Sequence, residues 1–331
     1  MKLLYNKYML IHIYNNLYID IHIDEEETKY LIQTKRQNFY FSTSHYESYI
    51  PFNKDYGPIN IHNIFEFCIQ MHYRVTHPRI QNRKIVYYIY NDDNSTYLLN
   101  TLLLFSVFIL THYNKTANEV ILIMHHHFNH CPTFFVDCVT TNGGYTSSLT
   151  DCIHAINYLI QNNITNVQSF NYNDFMYCID FSERDMTIIP YRIIAMTEPN
   201  VEKIAQIKQE LVKRNVKHII QLNDDIEYDK SIFTDKMKHY NMSFDDCSTP
   251  SIDLVKEFVN ILKTTGNDVI TIHCKAGLGR TGLFVCIYLM ITFGIDARKS
   301  IAMLRMYRSG SIMGYQGHFL EMIESTLNSI N

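Results

Sequence analysis

The chain runs to 331 residues, room for two domains of ordinary size, and carries a formal net charge of −4. With 47% hydrophobic and 19% charged residues it is not a disordered chain, and its charge gives no general pull toward nucleic acid or anionic lipid. Its eight cysteines form no CxxC pair and no dense framework, which argues against a disulfide-stapled scaffold and for a reducing compartment, the cytoplasm or nucleus.

Met1-Lys2-Leu3-Leu4 opens like a signal peptide, but Asn6, Lys7, Asn15 and Asn16 interrupt it and no small-residue cleavage site follows. Residues 1–50 hold short alternating segments, clearest over 17–23, that read as strands. Gly57-Pro58 breaks the chain before a helix over 61–72. A strand over 85–90 leads through a polar loop to an apolar helix over 98–110, too short to span a bilayer. His125-His126-His127 with His130 could place two imidazoles on one helix face, but no carboxylate or cysteine completes a metal set. Asn142-Gly143-Gly144 then turns the chain into a helix over about 147–161. This half has the outline of the second half without its cysteine, arginine and glycines, and reads as an inactive copy.

Residues 162–185 are polar and mixed and suit a linker with a short helix. The second half opens with a strand over 188–196. A helix over 201–214 follows, with Ile204, Ile207 and Leu211 at helical spacing and Asn215 able to cap its end. A strand covers 216–222, and Thr249 with Pro250 reads as N-cap and first position of a helix to about 262. The remaining elements are a strand over 268–272 and helices over 283–292, 297–307 and 315–327. Arg298, Lys299, Arg305 and Arg308 read as a solvated helix face. Alternating strands and helices give an α/β fold: mixed, largely parallel sheets flanked by helices, with sites at strand carboxyl ends. The expected division is 1–165 inactive, 166–185 linker and 186–331 catalytic.

The most informative run is His273-Cys-Lys-Ala-Gly-Leu-Gly-Arg-Thr-Gly282. Placed between a strand and a helix N-terminus, it makes an anion cradle, because the N–H groups of Lys275, Ala276, Gly277, Leu278, Gly279 and Arg280 converge and the helix dipole adds positive potential. A cysteine at such a mouth is held as thiolate, and the Arg280 fork fits two oxygens of a phosphoryl group. That is the machinery of metal-independent, cysteine-based phosphate ester hydrolysis, with no cofactor. Thr281 is placed to donate to the sulfur as leaving group, and His273 to orient the loop from beneath. A carboxyl group must protonate the leaving oxygen and then activate water. Asp245 and Asp246, in the polar loop Phe244–Pro250, compete for that role, and spacing does not decide between them.

With these residues in view, the chain resembles the dual-specificity tyrosine phosphatases, and among them the family of cell division cycle phosphatase fourteen. The matching pieces are the His273–Gly282 loop, Phe244-Asp-Asp-Cys-Ser-Thr-Pro250, Gly310-Ser-Ile-Met-Gly-Tyr-Gln316, Asp55-Tyr-Gly-Pro-Ile-Asn60 and Phe233-Thr-Asp-Lys-Met-Lys-His-Tyr240. The resemblance implies tandem phosphatase-like domains with the active site in the second. It selects Asp246 as general acid and gives Gln316 a part in placing the hydrolytic water. It also implies phosphoprotein substrates with proline after the phosphoserine, and a role opposing proline-directed cell-cycle kinases. Two departures lie beside the acid: Cys247 stands where the family has glycine, and Asp245 where it has a small apolar residue. The family's acidic linker is mostly lost over 175–180, leaving Asp180, Glu183 and Asp185 as candidates for a substrate groove. A phosphoinositide phosphatase is the alternative enzyme, disfavoured by Leu278 where lipid-directed relatives carry a second lysine. A phosphoprotein-binding module without turnover is the alternative outside enzymes.

Overall fold

The computed structural model describes residues 9–22, 25–43, 45, 48–49, 51, 55–90, 96–128, 134–136, 144–179 and 185–330. The chain divides into two compact units. The first comprises residues 1–50, 56–135 and 148–170, and the second 51–55, 136–147 and 171–331. His130, Asn142, Gly143, Asp180 and Glu183 lie outside the described residues.

The first half contains β1 (Met9–Tyr14), β2 (Leu17–His22), α1 (Glu25–Thr34), β3 (Asn38–Phe41), α2 (Ile61–Thr76), β4 (Lys84–Tyr90), α3 (Thr96–His112) and α4 (Ala117–Phe128). Two short strands, β5 (Phe134–Phe135) and β6 (Ser147–Ser148), precede α5 (Leu149–Gln161). Its main sheet has the order β1-β2-β4-β3, antiparallel between β1 and β2 and parallel elsewhere. The central strand β4 buries Ile85, Val86, Tyr87 and Ile89, as a strand covered on both faces must. Helix α3 is apolar all round and buried from Leu98 to Leu110, so it is a core helix. Its polar residues cost little, since Thr101 and Ser106 donate back to the carbonyls of Tyr97 and Leu102. Among the described residues no helix is long and apolar enough to cross a membrane.

The second half continues with α6 (Tyr172–Cys178), β7 (Met186–Ile189), β8 (Ile193–Met196), α7 (Ile204–Lys213), β9 (Val216–Gln221), β10 (Lys238–Asn241), α8 (Ile252–Thr264), β11 (Val269–His273), α9 (Gly279–Phe293), α10 (Ala297–Tyr307) and α11 (Gln316–Ile330). The sheet order is β10-β9-β11-β8-β7, parallel except for the β7–β8 pair. The single strand expected over 188–196 is a hairpin. Pro190 has no N–H to give a ladder and Tyr191 takes φ +76°, so the chain reverses there and Ile189 pairs with Ile193. The edge strand β10, Lys-His-Tyr-Asn, has no apolar alternation and was not expected. The cap of α8 is Ser251, whose hydroxyl accepts from Leu254 N–H, two residues past the expected Thr249. Asn215 does close α7, at φ +58°.

Linker helix α6 is fastened within this unit by Arg214. Its guanidinium bonds both Asp174 oxygens at 2.6 and 3.2 Å and Glu210 at 2.7 Å. The arginine hydrogen bonds hold the Asp174 carboxyl below its usual range. The basic run of α10 is not a solvated face: Arg298 and Lys299 pair at the surface with Glu321 and Asp296, whereas Arg305 and Arg308 are buried.

In the first unit Gly57 sits at φ +76°, and a methyl there would lie 2.5 Å from a Phe135 ring carbon and 2.8 Å from Asn100 Oδ1. Gly57→Ala should destabilise the chain by about 1–3 kcal/mol, the usual cost of overpacking, read as a lower urea midpoint. An unchanged midpoint would show that the Phe135 ring yields freely.

Candidate active site

Strand β11 is hydrogen-bonded on both sides and ends at His273, so its successor Cys274 emerges at the carboxyl edge of the sheet, 3% exposed. The loop to Arg280 then enters α9. Every carbonyl from Cys274 to Leu278 is turned outward onto a donor. Cys274 C=O accepts from His273 Nδ1 at 3.3 Å, and Lys275 C=O from Glu198 N–H at 3.1 Å. Ala276 and Gly277 carbonyls accept from the Arg308 guanidinium at 3.5 and 2.7 Å. Leu278 C=O accepts from the N–H groups of Gly282 and Ile312. With its carbonyls engaged behind, the loop can offer its N–H groups inward, and Gly277 N–H donates to Cys274 Sγ at 3.3 Å. Gly277 has φ +67°, and a side chain there would collide with the Met196 carbonyl. Only glycine fits.

Arg308 is itself held by a buried bidentate pair with Asp185, at 2.9 and 3.1 Å, and by Thr187 at 3.2 Å. Asp185 is therefore not a groove residue waiting for a substrate's basic side chain. Its charge is spent inside the protein, under the loop. Neither Arg308 nor Asp185 was assigned this part from sequence, because nothing local marks a tertiary clamp.

His273 is fully buried and belongs to a second support. The Cys274 carbonyl can only accept, so His273 Nδ1 carries the proton. Burial pushes the imidazole down to about 4, which keeps it neutral and leaves Nε2 an acceptor. The Tyr228 hydroxyl then donates to His273 Nε2 at 2.8 Å and accepts from His239 Nε2 at 2.9 Å. Burial likewise pushes His239 down to about 4 and holds the Tyr228 phenol well above its usual range. Tyr228 had no sequence signal, and His239 lay in the matching Phe233–Tyr240 run without a part assigned to it; β10 brings His239 here.

Arg280 is buried, and its Nη1 donates to the carbonyls of Leu222 and Phe244 at 3.3 and 3.1 Å. Its Nε stands 3.1 Å from Asp246 Oδ1, a charge contact without hydrogen-bond alignment. Thus of the two competing aspartates, Asp246 is the one in contact with the arginine. Asp245 lends its carbonyl to the turn, accepting from Ser248 N–H and hydroxyl at 3.3 and 2.7 Å. Cys247 takes φ +56°, the left-handed region, which explains why relatives would place glycine there. Gln316 is buried, accepts from Met313 N–H at 3.1 Å and donates to the Ser248 carbonyl at 3.2 Å. It packs so close to Gly279 that a methyl there would lie 3.2 Å from Gln316 Oε1. It therefore joins the Asp246 loop to the cradle.

One expectation differs from the geometry. Thr281 Oγ1 is buried and makes no hydrogen bond among the described residues, so the bond to sulfur is not formed in this state. The Lys275 side chain turns to the rim, 2.6 Å from Glu227 and 3.4 Å from Glu198, and the Glu227 hydrogen bond raises its pKa. No group of three or more metal-ligating side chains occurs among the described residues.

The neutral imidazoles set a pH dependence. Unfolded, His239 and His273 titrate near 6.5; folded, they stay unprotonated until about pH 4. The unfolded chain binds more protons between these values, so stability is fully present above about pH 6.5 and lost as pH falls toward 4. His239→Gln should flatten the loss of urea stability between pH 7 and pH 5 relative to the parent chain. Parallel slopes would show that His239 is protonated in the folded state.

The comparisons agree with this construction. Residues 12–158 match the family model for the N-terminal half of dual specificity protein phosphatases, and residues 183–317 match that of the Swiss Army Knife DSP-PTPase phosphatase domain. Dual specificity protein phosphatase CDC14AB of Danio rerio is 30% identical over 302 residues, covering 87% of this chain and 48% of that protein. CDC14A of Homo sapiens is 29% identical, over 87% of this chain and 50% of its own length. Tyrosine-protein phosphatase CDC14 of Candida albicans is 26% identical, over 85% of this chain and 53% of its own length. The chain spans about half the length of the curated relatives it matches. With both halves matched and the cysteine cradle in the second, the chain belongs to the CDC14 family of dual-specificity phosphatases.

Proposed function

We propose that the chain is a metal-independent protein phosphatase of the cytoplasm or nucleus that hydrolyses phosphoserine- and phosphothreonine-proline sites and phosphotyrosine through a phosphocysteine intermediate. In that reading it opposes proline-directed cell-cycle kinases, and its partners are phosphorylated proteins. The observation that carries the reading is the outward-turned loop, which leaves Cys274 Sγ accepting from Gly277 N–H, with Asp246 against the Arg280 that ends the loop.

In the first step the Cys274 thiolate attacks phosphorus and the ester P–O bond breaks. The N–H groups of 275–280 and the Arg280 fork hold the equatorial oxygens, the largest single contribution in such transfers. The incoming phosphoryl group takes Arg280 from Asp246, freeing that carboxyl, once protonated, to give its proton to the leaving oxygen. In the second step a water held by Gln316 passes its proton to Asp246 and attacks phosphorus. The P–S bond breaks and its electron pair returns to sulfur, and the Thr281 hydroxyl is the group expected to turn to it.

Cys274→Ser should abolish turnover yet retain phosphopeptide binding, since the cradle donors stay. Asp246→Asn should slow phosphoserine substrates by about 10²–10⁴ and aryl phosphates far less, the range of general acid catalysis. Steady-state kinetics of both substrates with the Asp246→Asn and Asp245→Asn variants checks this, and the reverse pattern would transfer the role to Asp245.

Phosphoserine-proline peptides should be turned over faster than the same peptides with alanine after the phosphoserine, and a downstream lysine should add little. A large gain from lysine would assign the acidic role to Asp180 or Glu183, which remain candidates after Asp185 is accounted for. Faster turnover of soluble inositol phosphates than of any peptide would replace the protein-phosphatase reading with the lipid one.

A further inference from the structure

The turn that carries Gln316 is held in an unusual way. Ile312 is buried at φ +65°, a conformation that a β-branched residue adopts only when its surroundings impose it. The imposing group is Arg305, 4% exposed, which donates through Nε to Ser311 C=O at 3.0 Å and through Nη2 to Ile312 C=O at 2.9 Å. The N–H of Ile312 in turn reaches Leu278 C=O of the phosphate loop, and Met313 N–H bonds Gln316 Oε1.

The other side of Arg305 is occupied by a strap from far upstream. Its Nη1 donates to Tyr145 C=O and to Ser147 Oγ, both at 3.0 Å, across sequence separations of 160 and 158 residues. The same strap touches α11 directly. The Tyr145 ring lies so close to Gly317, the neighbour of Gln316, that no side chain would fit there, and its hydroxyl donates to Glu321 at 2.9 Å. Residues 136–147 accordingly group with the second compact unit, although they come from the first half of the sequence.

We propose that Tyr145 and Ser147 are positioning residues for the hydrolytic half of the reaction. Through Arg305 and Gly317 they fix the 311–316 turn, and with it the Gln316 amide against the phosphate loop. The proposal rests on the reading of Gln316 as the residue that holds the attacking water. Attack of Cys274 on the ester needs no such water, so the strap bears on breakdown of the phosphocysteine and not on its formation. The catalytic unit is then incomplete without a segment of the first half.

The experiment is pre-steady-state hydrolysis of an aryl phosphate by the full-length chain, comparing the parent with Tyr145→Ala, Tyr145→Phe, Ser147→Ala and Gln316→Ala. For Tyr145→Ala the expected result is a burst of about one phenolate per folded enzyme at the parent's rate, then turnover about tenfold slower, within the ~10²-fold that a 1 Å misplacement costs. Phosphocysteine should accumulate and be trapped by acid quench. Ser147→Ala should show the same split in smaller measure, Tyr145→Phe, which keeps the ring on Gly317 and the carbonyl on Arg305, should stay close to the parent, and Tyr145→Ala should add nothing on a Gln316→Ala background. Burst rate and turnover falling together, or neither changing, would overturn the proposal and leave the strap a plain buttress. If Gln316→Ala itself spares the second step, it is the reading of Gln316 that fails.

Discussion

Everything at the site depends on the direction in which five consecutive carbonyls point. A backbone loop offers donors to an anion only if its acceptors are satisfied elsewhere, and here Arg308 supplies the acceptors' partners for two of the five. A buried guanidinium is costly by itself, so Asp185 is required in turn, and the bidentate pair sets the plane of the fork. Removing one member would strand the other's charge, which costs roughly 3–5 kcal/mol in buried pairs. The cradle's shape is thus fixed from behind, by residues that never meet the phosphate.

The two sheets show how little separates a frame with the cysteine cradle from one without it. Both have a central strand, β4 or β11, followed by a largely apolar, buried helix, α3 or α9. What the first lacks is the glycine that permits a left-handed step and the arginine that closes the cradle. The first half instead uses its core helix for packing, and contributes Tyr145 and Ser147 to the unit that holds Cys274.

The contiguous parts of the site were legible in the sequence because their chemistry is local: a cysteine, glycines and an arginine at fixed spacing between a strand and a helix. The α10 span and the Asn215 cap were legible for the same reason. Arg305 and Arg308 were misread as solvated, since three-residue spacing of charges on a helix describes a surface face until the loops around it are known. Asp185 was misread likewise, because a carboxylate's partner 123 residues away leaves no trace in composition. The 188–196 run concealed a hairpin, as apolar residues continue across Pro190 and the reversal depends on one left-handed tyrosine. Tyr228 was invisible for want of any motif, His239 sat in a matching run that said nothing of its partner, and β10 lacked alternation.

Cys247 has a consequence for the loop that carries Asp246. A left-handed conformation costs an L-residue roughly 1–2 kcal/mol that glycine does not bear, and this cost falls on the one arrangement in which Asp246 meets Arg280. Against glycine at the same position, that cost weighs on the turn holding Asp246 beside Arg280 by a factor of about 5–30 in population, so the tightness of this contact is set by the backbone of its neighbour as much as by the two charges.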